Sequence, residues 1–205
     1  MAKKLDPEEK IVNAALRLAA SRGWSGLSLA DIAKAAKVSL SDLSKSFSSK
    51  AGILNAYGRR IDERVLQKVS AEDVSDETAR DRLFDVLMMR FDALSADRGA
   101  LKRISADLRR DPLAAAPLAR PHLQSMGWML EAAGIDSSGI VGAMRVRGLA
   151  FIWAAAFRVW LVDDEDQSKT MAELDRRLRD GSALLDRLCR FCPGGRQAGP
   201  KEDAA

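Results

Sequence analysis

The chain has 205 residues, 47% hydrophobic and 30% charged, enough for about one large domain or two small ones with a core that needs no disulfide or metal staple. That composition excludes general disorder and a fibrous fold, and two cysteines give no sign of an oxidising compartment. The most apolar stretch, 141–162, is interrupted by Arg145, Arg147 and Arg158, and Met1-Ala2-Lys3-Lys4 opens no secretory leader, so the expectation is a cytoplasmic protein without a membrane span.

Helical periodicity runs nearly throughout, and no run alternates as a strand would. Asp6-Pro7-Glu8-Glu9 starts a helix: Asp6 can cap, Pro7 fits the first helical position, and the glutamates complement the dipole. Ile11, Ala15, Leu18 and Ala19 then share a face until Arg22-Gly23. Ser28 opens a second helix with Asp31 as a capping-box partner, and Ser39 a third with Asp42 three residues on. Ser48-Ser49 leads into a fourth helix carrying Ile53, Leu54, Tyr57, Ile61 and Val65. A fifth is expected from Asp76, a sixth near 101–108, and a kinked or loop-led connection between Pro112 and Pro121. A helix over 122–133, two long helices over about 138–161 and 166–189, and a disordered tail from Phe191 complete an all-α chain.

Charge is unevenly spread. Residues 1–60 hold eleven basic residues against five acidic ones, a net +6, while the rest holds 22 against 24, a net −2. Such asymmetry fits a polyanion-binding module, or a solvated lysine-rich face.

The turn Lys37-Val38-Ser39 between two short helices fits a helix-turn-helix, whose second helix lies in the major groove with its N-terminal residues facing bases. A generic helical hairpin has the same spacing. In the DNA-binding reading Leu43 and Phe47 anchor the second helix inward, leaving Leu40, Ser41, Asp42, Ser44 and Lys45 outward. Lys37, Lys45 and Lys50, with Lys34 as a further candidate, would meet phosphates, which position without reading sequence. Ser28, Ser39 and Ser49 lie at helix starts beside this surface, and the start of the fourth helix offers backbone N–H groups. Asp42 could cap Ser39 or accept from cytosine.

Residues 11–54 resemble the DNA-binding domain of TetR/AcrR-type transcriptional regulators. The match rests on Ile11, Ala14, Ala15, Leu18, Gly23, Leu29, Ile32, Ala33, Ala36, Val38, Ser39, Leu43, Phe47, Ser49, Lys50 and Leu54. It implies a TetR-like fold: an N-terminal three-helix helix-turn-helix domain over residues 1–68, and a helical effector-binding and dimerisation domain over 69–190, ahead of the tail 191–205. It further implies a homodimer on a palindromic DNA operator, repressing transcription until a small apolar ligand releases it. The chain departs from the family at Lys37, usually glycine, Ser44, usually aromatic, and Ser46, usually histidine. The aromatic and the histidine typically touch the DNA backbone.

The segment 126–185 is similar to lipid-binding accessory proteins of ubiquinone biosynthesis that share the TetR fold. The likeness lies in Trp128 before Glu131-Ala132-Ala133-Gly134, in Trp160 to Asp164, and in Met171 to Leu178. An isoprenoid- or lipid-binding accessory role with lost or reduced DNA binding is the alternative.

Met88, Phe91, Met126, Trp128, Met129, Met144, Trp153 and Phe157 are candidates to line an adaptable apolar pocket, or simply to pack a core. His122, the one histidine, is expected to face solvent. Met171, Leu174, Leu178, Gly181 and Leu185 follow a coiled-coil-like spacing, and Gly148, Ile152, Ala155 and Val159 share a face of the preceding helix. Two such helices per chain could form a four-helix dimer interface, or pack within the monomer. Cys189 and Cys192 lack the further ligands of a zinc site. With no catalytic triad, phosphate-cradling glycine loop or metal-spaced carboxylates, neither an enzyme nor a cofactor is expected.

Overall fold

The computed structural model describes residues 6–69 and 78–190, with side chains as far as Gly181. The described residues form α1 (Pro7–Arg22), α2 (Leu29–Ala36), α3 (Leu40–Ser46), α4 (Lys50–Val69), α5 (Ala79–Leu94), a 3₁₀ turn at Ser95–Asp97, α6 (Arg98–Arg110), α7 (Pro112–Ala132), α8 (Gly139–Trp160) and α9 (Ser168–Arg190). The expected helix start at Asp76 and the tail from Phe191 fall outside the described residues.

Local chemistry sets most of these boundaries. Pro7 enters α1 as expected, although Asp6 makes no side-chain cap bond. Ser28 and Asp31 form a full capping box on α2. Thr78 caps α5 by accepting from the Asp81 N–H. α7 corrects the loop-led connection foreseen over 112–121. Asp111 accepts from the Ala114 N–H at 3.0 Å, Pro112 takes the first position, and the helix continues through Pro117 and Pro121. Those prolines lie four residues apart, so the missing N–H groups fall on one face. The stretch is exposed, Leu113 by 87%, and water can serve the freed carbonyls.

α1, α2 and α3 pack around Ile11, Ala15, Ala19, Ile32, Leu43 and Phe47, all buried. α4 is the continuous strut. It packs on α1, then on α5 and α7, and buries Ile53, Tyr57, Ile61 and Val65 along one face. The buried apolar residues of both halves join in one cluster. α6 lies between α1 and α7, and α8 lies between α7 and α9.

The second half is built on an aromatic stack. Phe91 of α5 lies on Trp153 of α8 at 4.3 Å between centroids and 15° between planes, and Phe157 and Trp160 extend the stack. The α8–α9 turn is fixed by the buried Asp163, which accepts from the Thr170 N–H at 2.7 Å and hydroxyl at 2.6 Å. α8 is long and apolar enough by composition to cross a bilayer, with a mean hydropathy of 1.5 over its most apolar window. Its Leu149, Trp153, Ala156 and Trp160 are committed to the core of the chain instead.

Candidate DNA-binding surface and effector cavity

The turn between α2 and α3 is a Schellman closure. The Val38 N–H donates to the Ala33 carbonyl at 3.1 Å and the Lys37 N–H to the Lys34 carbonyl at 3.2 Å. Lys37 must then take a left-handed conformation, φ 57°, which explains why glycine is usual there. α3 follows at once. The Ser39 hydroxyl accepts from the Asp42 N–H at 3.0 Å and donates to Asp42 Oδ2 at 2.7 Å.

Leu43 and Phe47 point inward as expected, 0% and 5% exposed. Leu40, Ser41, Asp42, Ser44 and Lys45 are all exposed. Their groups are not equally free. Asp42 spends Oδ2 on Ser39 and Oδ1 on Lys45 at 3.0 Å, and both contacts hold its carboxyl below the ordinary range, the Ser39 hydroxyl most. The cap reading of Asp42 is thus realised in the structure. Ser44 donates to the Ser41 carbonyl at 2.8 Å, and Ser49 accepts from the Gly52 N–H at 3.1 Å. Ser28 is engaged with Asp31.

Lys50 is placed differently from the phosphate contact expected of it. Its ammonium donates to the carbonyls of Trp24 at 2.9 Å, Leu27 at 2.8 Å and Ser25 at 3.4 Å, and it lies 5.3 Å from the Trp24 ring centroid. All three donors of the group are used inside the chain. Burial lowers its pKa, opposed by Asp107 and Asp111. The same loop is held by a second helix: Asp107 of α6 accepts from the N–H groups of Trp24 and Ser25.

Beneath this domain a cavity of about 1510 Å³ runs between α4, α6 and α7 and reaches α8. Leu54, Leu66, Leu101, Ile104, Leu108 and Leu118 supply apolar wall, with Trp128 and Phe157. Of the eight pocket candidates, those two alone line it. Phe91, Met126, Met129 and Trp153 are buried in the core, Met88 packs against that core, and Met144 is 45% exposed. His122 lines the cavity and is half-buried, which corrects its expected solvent position. Tyr57 also lines it, its hydroxyl donating to Asp97 Oδ2 at 2.9 Å.

The proposed dimer seam is largely occupied within the chain. Leu174 and Leu178 are 0% and 5% exposed and Ala155 5%, while Ile152 and Val159 are half-buried. A Cβ at Gly181 would meet Ile152 Cδ1 of the same chain at 3.1 Å, so the close approach foreseen there joins α9 to its own α8. Met171 and Gly148 remain exposed, and the side chain of Leu185 lies outside the described residues. Among the described side chains of α9, Leu174 and Leu178 are used in covering α8 and α5. α8 presents a row of outward apolar groups instead: Ile140 at 84%, Phe151 at 78% and Met144 at 45%.

This arrangement, a capped helix-turn-helix on a strut that continues into a cavity-bearing helical body, defines a class of DNA-binding regulator. Residues 11–57 match the family described as bacterial regulatory proteins, tetR family. A TetR transcriptional regulator from Nitrosomonas europaea superposes with a TM-score of 0.69 at 25% identity, over 88% of this chain and 100% of that one. A TetR transcriptional regulator from a Rhodococcus species gives 0.60 at 20%, over 86% and 98%, and a tetR-family regulator from Streptomyces coelicolor 0.56 at 17%, over 90% and 85%. Comparison with curated proteins finds no match. Residues 11–57 thus carry the likeness to the tetR-family DNA-binding domain, and the chain shares the fold of TetR-family transcriptional regulators.

Proposed function

We propose that the chain is a ligand-responsive regulator, a repressor that binds a palindromic operator as a homodimer and leaves it when a small apolar effector fills the cavity. Residues 1–68 read DNA, and 69–190 bind effector and dimerise. Leu40, Ser41 and Ser44 face bases, and Lys37 and Lys45 meet phosphates, with the start of α4 adding backbone N–H groups. The second subunit packs on the outward face of α8 around Phe151, Gly148 and Met144, with Met171 at its edge.

One observation carries the ligand response: α6 touches both the cavity and the DNA-binding domain. Leu101, Ile104 and Leu108 line the cavity, while Asp107 on the same helix grips the α1–α2 loop. An effector that shifts α6 would therefore shift the loop from which α2 and α3 hang. A ligand favouring the wider-spread state lowers operator affinity in proportion to that preference.

Selection of genomic fragments by the purified protein at physiological salt tests the reading. An enriched palindrome with half-sites one helical turn apart, about 34–36 Å, is the expected result. Weak binding with no motif sinks it. The size of the cavity favours the lipid-binding alternative in that event, and co-purified isoprenoid or phospholipid in native mass spectrometry would identify it.

A further inference from the structure

The cavity has a charged floor inside its apolar walls, and that floor is incomplete. Asp62 of α4, Arg90 of α5 and Ser125 of α7 meet there. Arg90 Nη1 donates to Asp62 Oδ1, and the Ser125 hydroxyl donates to the same oxygen at 2.8 Å. Arg90 is 6% exposed, borders the cavity and lies over the Trp153 ring at 5.1 Å. Its Nε–H is buried without a hydrogen-bond partner. Buried donors are nearly always paired, so an orphan at a ligand cavity signals a missing acceptor.

The local field has a sign. Burial lowers the pKa of His122, the Arg90 charge lowers it further, and Asp62 and the Ala150 carbonyl oppose the shift. At that ring, then, Arg90 outweighs its own counter-ion. Arg59, Arg109 and Arg147 stand exposed among the other lining residues, with the exposed carboxylates Glu63 and Glu131. A cation or a neutral hydrocarbon entering the cavity would leave the Arg90 donor unpaired.

We propose that the cavity takes an amphiphile with a single carboxylate head and a hydrocarbon body, the head accepting from Arg90 beside His122 and the body lying along Leu101, Ile104 and Leu118. One orphan donor next to one neutral imidazole suits a monoanion, whereas a phosphate dianion would need more donors than the floor offers. The assignment rests on the effector-cavity reading above and adds the chemistry of the head.

Isothermal titration calorimetry with decanoate, 1-decanol and decyltrimethylammonium, below micelle formation, tests it on the full chain. Decanoate should bind one per chain, about tenfold or more tighter than decanol, since a charge-assisted hydrogen bond separates them, and the ammonium should bind weakest. Arg90→Lys keeps a cation for Asp62 but lacks the forked guanidinium, and it should erase the preference while leaving decanol affinity in place. Should that variant not fold, the paired Arg90→Gln, Asp62→Asn protein removes both charges together and makes the same test. Equal affinities for decanoate and decanol, preference for the ammonium, no binding of any probe, or a preference that survives the folded variant would each overturn the proposal. DNA affinity is measured separately on the same samples. Decanoate that fills the cavity without weakening DNA binding would refute the effector reading and leave the carboxylate assignment standing.

Discussion

Asp107 and Trp24 are joined by a 2.6 Å hydrogen bond from the Trp24 backbone N–H to Asp107 Oδ2, and the same oxygen takes the Ser25 N–H at 2.9 Å. The pair ties α6 to the loop that precedes the helix-turn-helix. Both backbone donors hold the Asp107 carboxyl below its ordinary range, that of Ser25 first. Lys50 of α4 binds the carbonyls of that loop, so its N–H and C=O groups are clamped by two separate helices.

Asp107→Ala should therefore act on communication more than on reading. The expected variant melts a few degrees lower, binds operator with the same sequence preference, and responds less to effector. Electrophoretic mobility shift with and without effector measures this. A variant that releases DNA at the wild-type effector concentration would show that α6 does not carry the signal.

The salt dependence of DNA binding separates charge from shape. Lys45→Ala should lower the slope of log affinity against log salt by about 0.9, the contribution of one phosphate contact. Lys37→Gly should lower it similarly while leaving stability unchanged or higher by up to about 1 kcal/mol, because glycine relieves the left-handed strain but adds unfolded-state entropy. Lys50→Ala should instead destabilise the fold, since it strips two well-formed carbonyl contacts from the clamped loop. A Lys50 variant that keeps its melting temperature and loses one phosphate contact would reverse its assignment.

The parts of this molecule legible in the sequence are those governed by near neighbours. The Ser28–Asp31 box, the Ser39 cap with Asp42, and the inward Leu43 and Phe47 each depend on residues three or four apart. Lys50 fell outside that reach, because its partners are 23 to 26 residues away and nothing local marks a lysine as spent. The cavity is hidden from the sequence for a related reason. Methionines and aromatics stand out in the sequence, yet Phe91 and Trp153 stack on each other, and the void is walled by plain leucines of α4 and α6 whose periodicity is that of any core face. Leu174 and Leu178 show the same ambiguity, since an apolar stripe does not say whose helix it will cover.

The α8 face makes a prediction about assembly. Phe151 is 78% exposed, so Phe151→Glu should yield a folded monomer in sedimentation, with operator affinity reduced because half-sites are read singly. Leu178→Glu places a charge in a site 5% exposed and should unfold the chain instead. A Phe151→Glu protein that sediments as a dimer would move the interface elsewhere.

His122 should give the fold a pH dependence above the carboxylate range. Burial and Arg90 lower its pKa in the folded state beneath the ordinary 6.5. A depressed histidine is charged more readily when unfolded, so the unfolded chain binds the extra proton first. Stability is then full above about 6.5, falls as pH drops below that value, and levels off once the folded ring is also protonated. Asp107 and Asp163 act in a separate window, because their folded values lie beneath 3.8 and their contribution is lost only as pH falls through those lower values. Thermal melts of wild type and His122→Phe between pH 5 and 8 isolate the histidine term. The wild-type melting temperature should decline across the acidic half of that range, while that of the variant stays nearly flat. Parallel curves would mean that the imidazole is solvated in both states, and that the cavity floor is wetter than the Asp62–Arg90–Ser125 contacts imply.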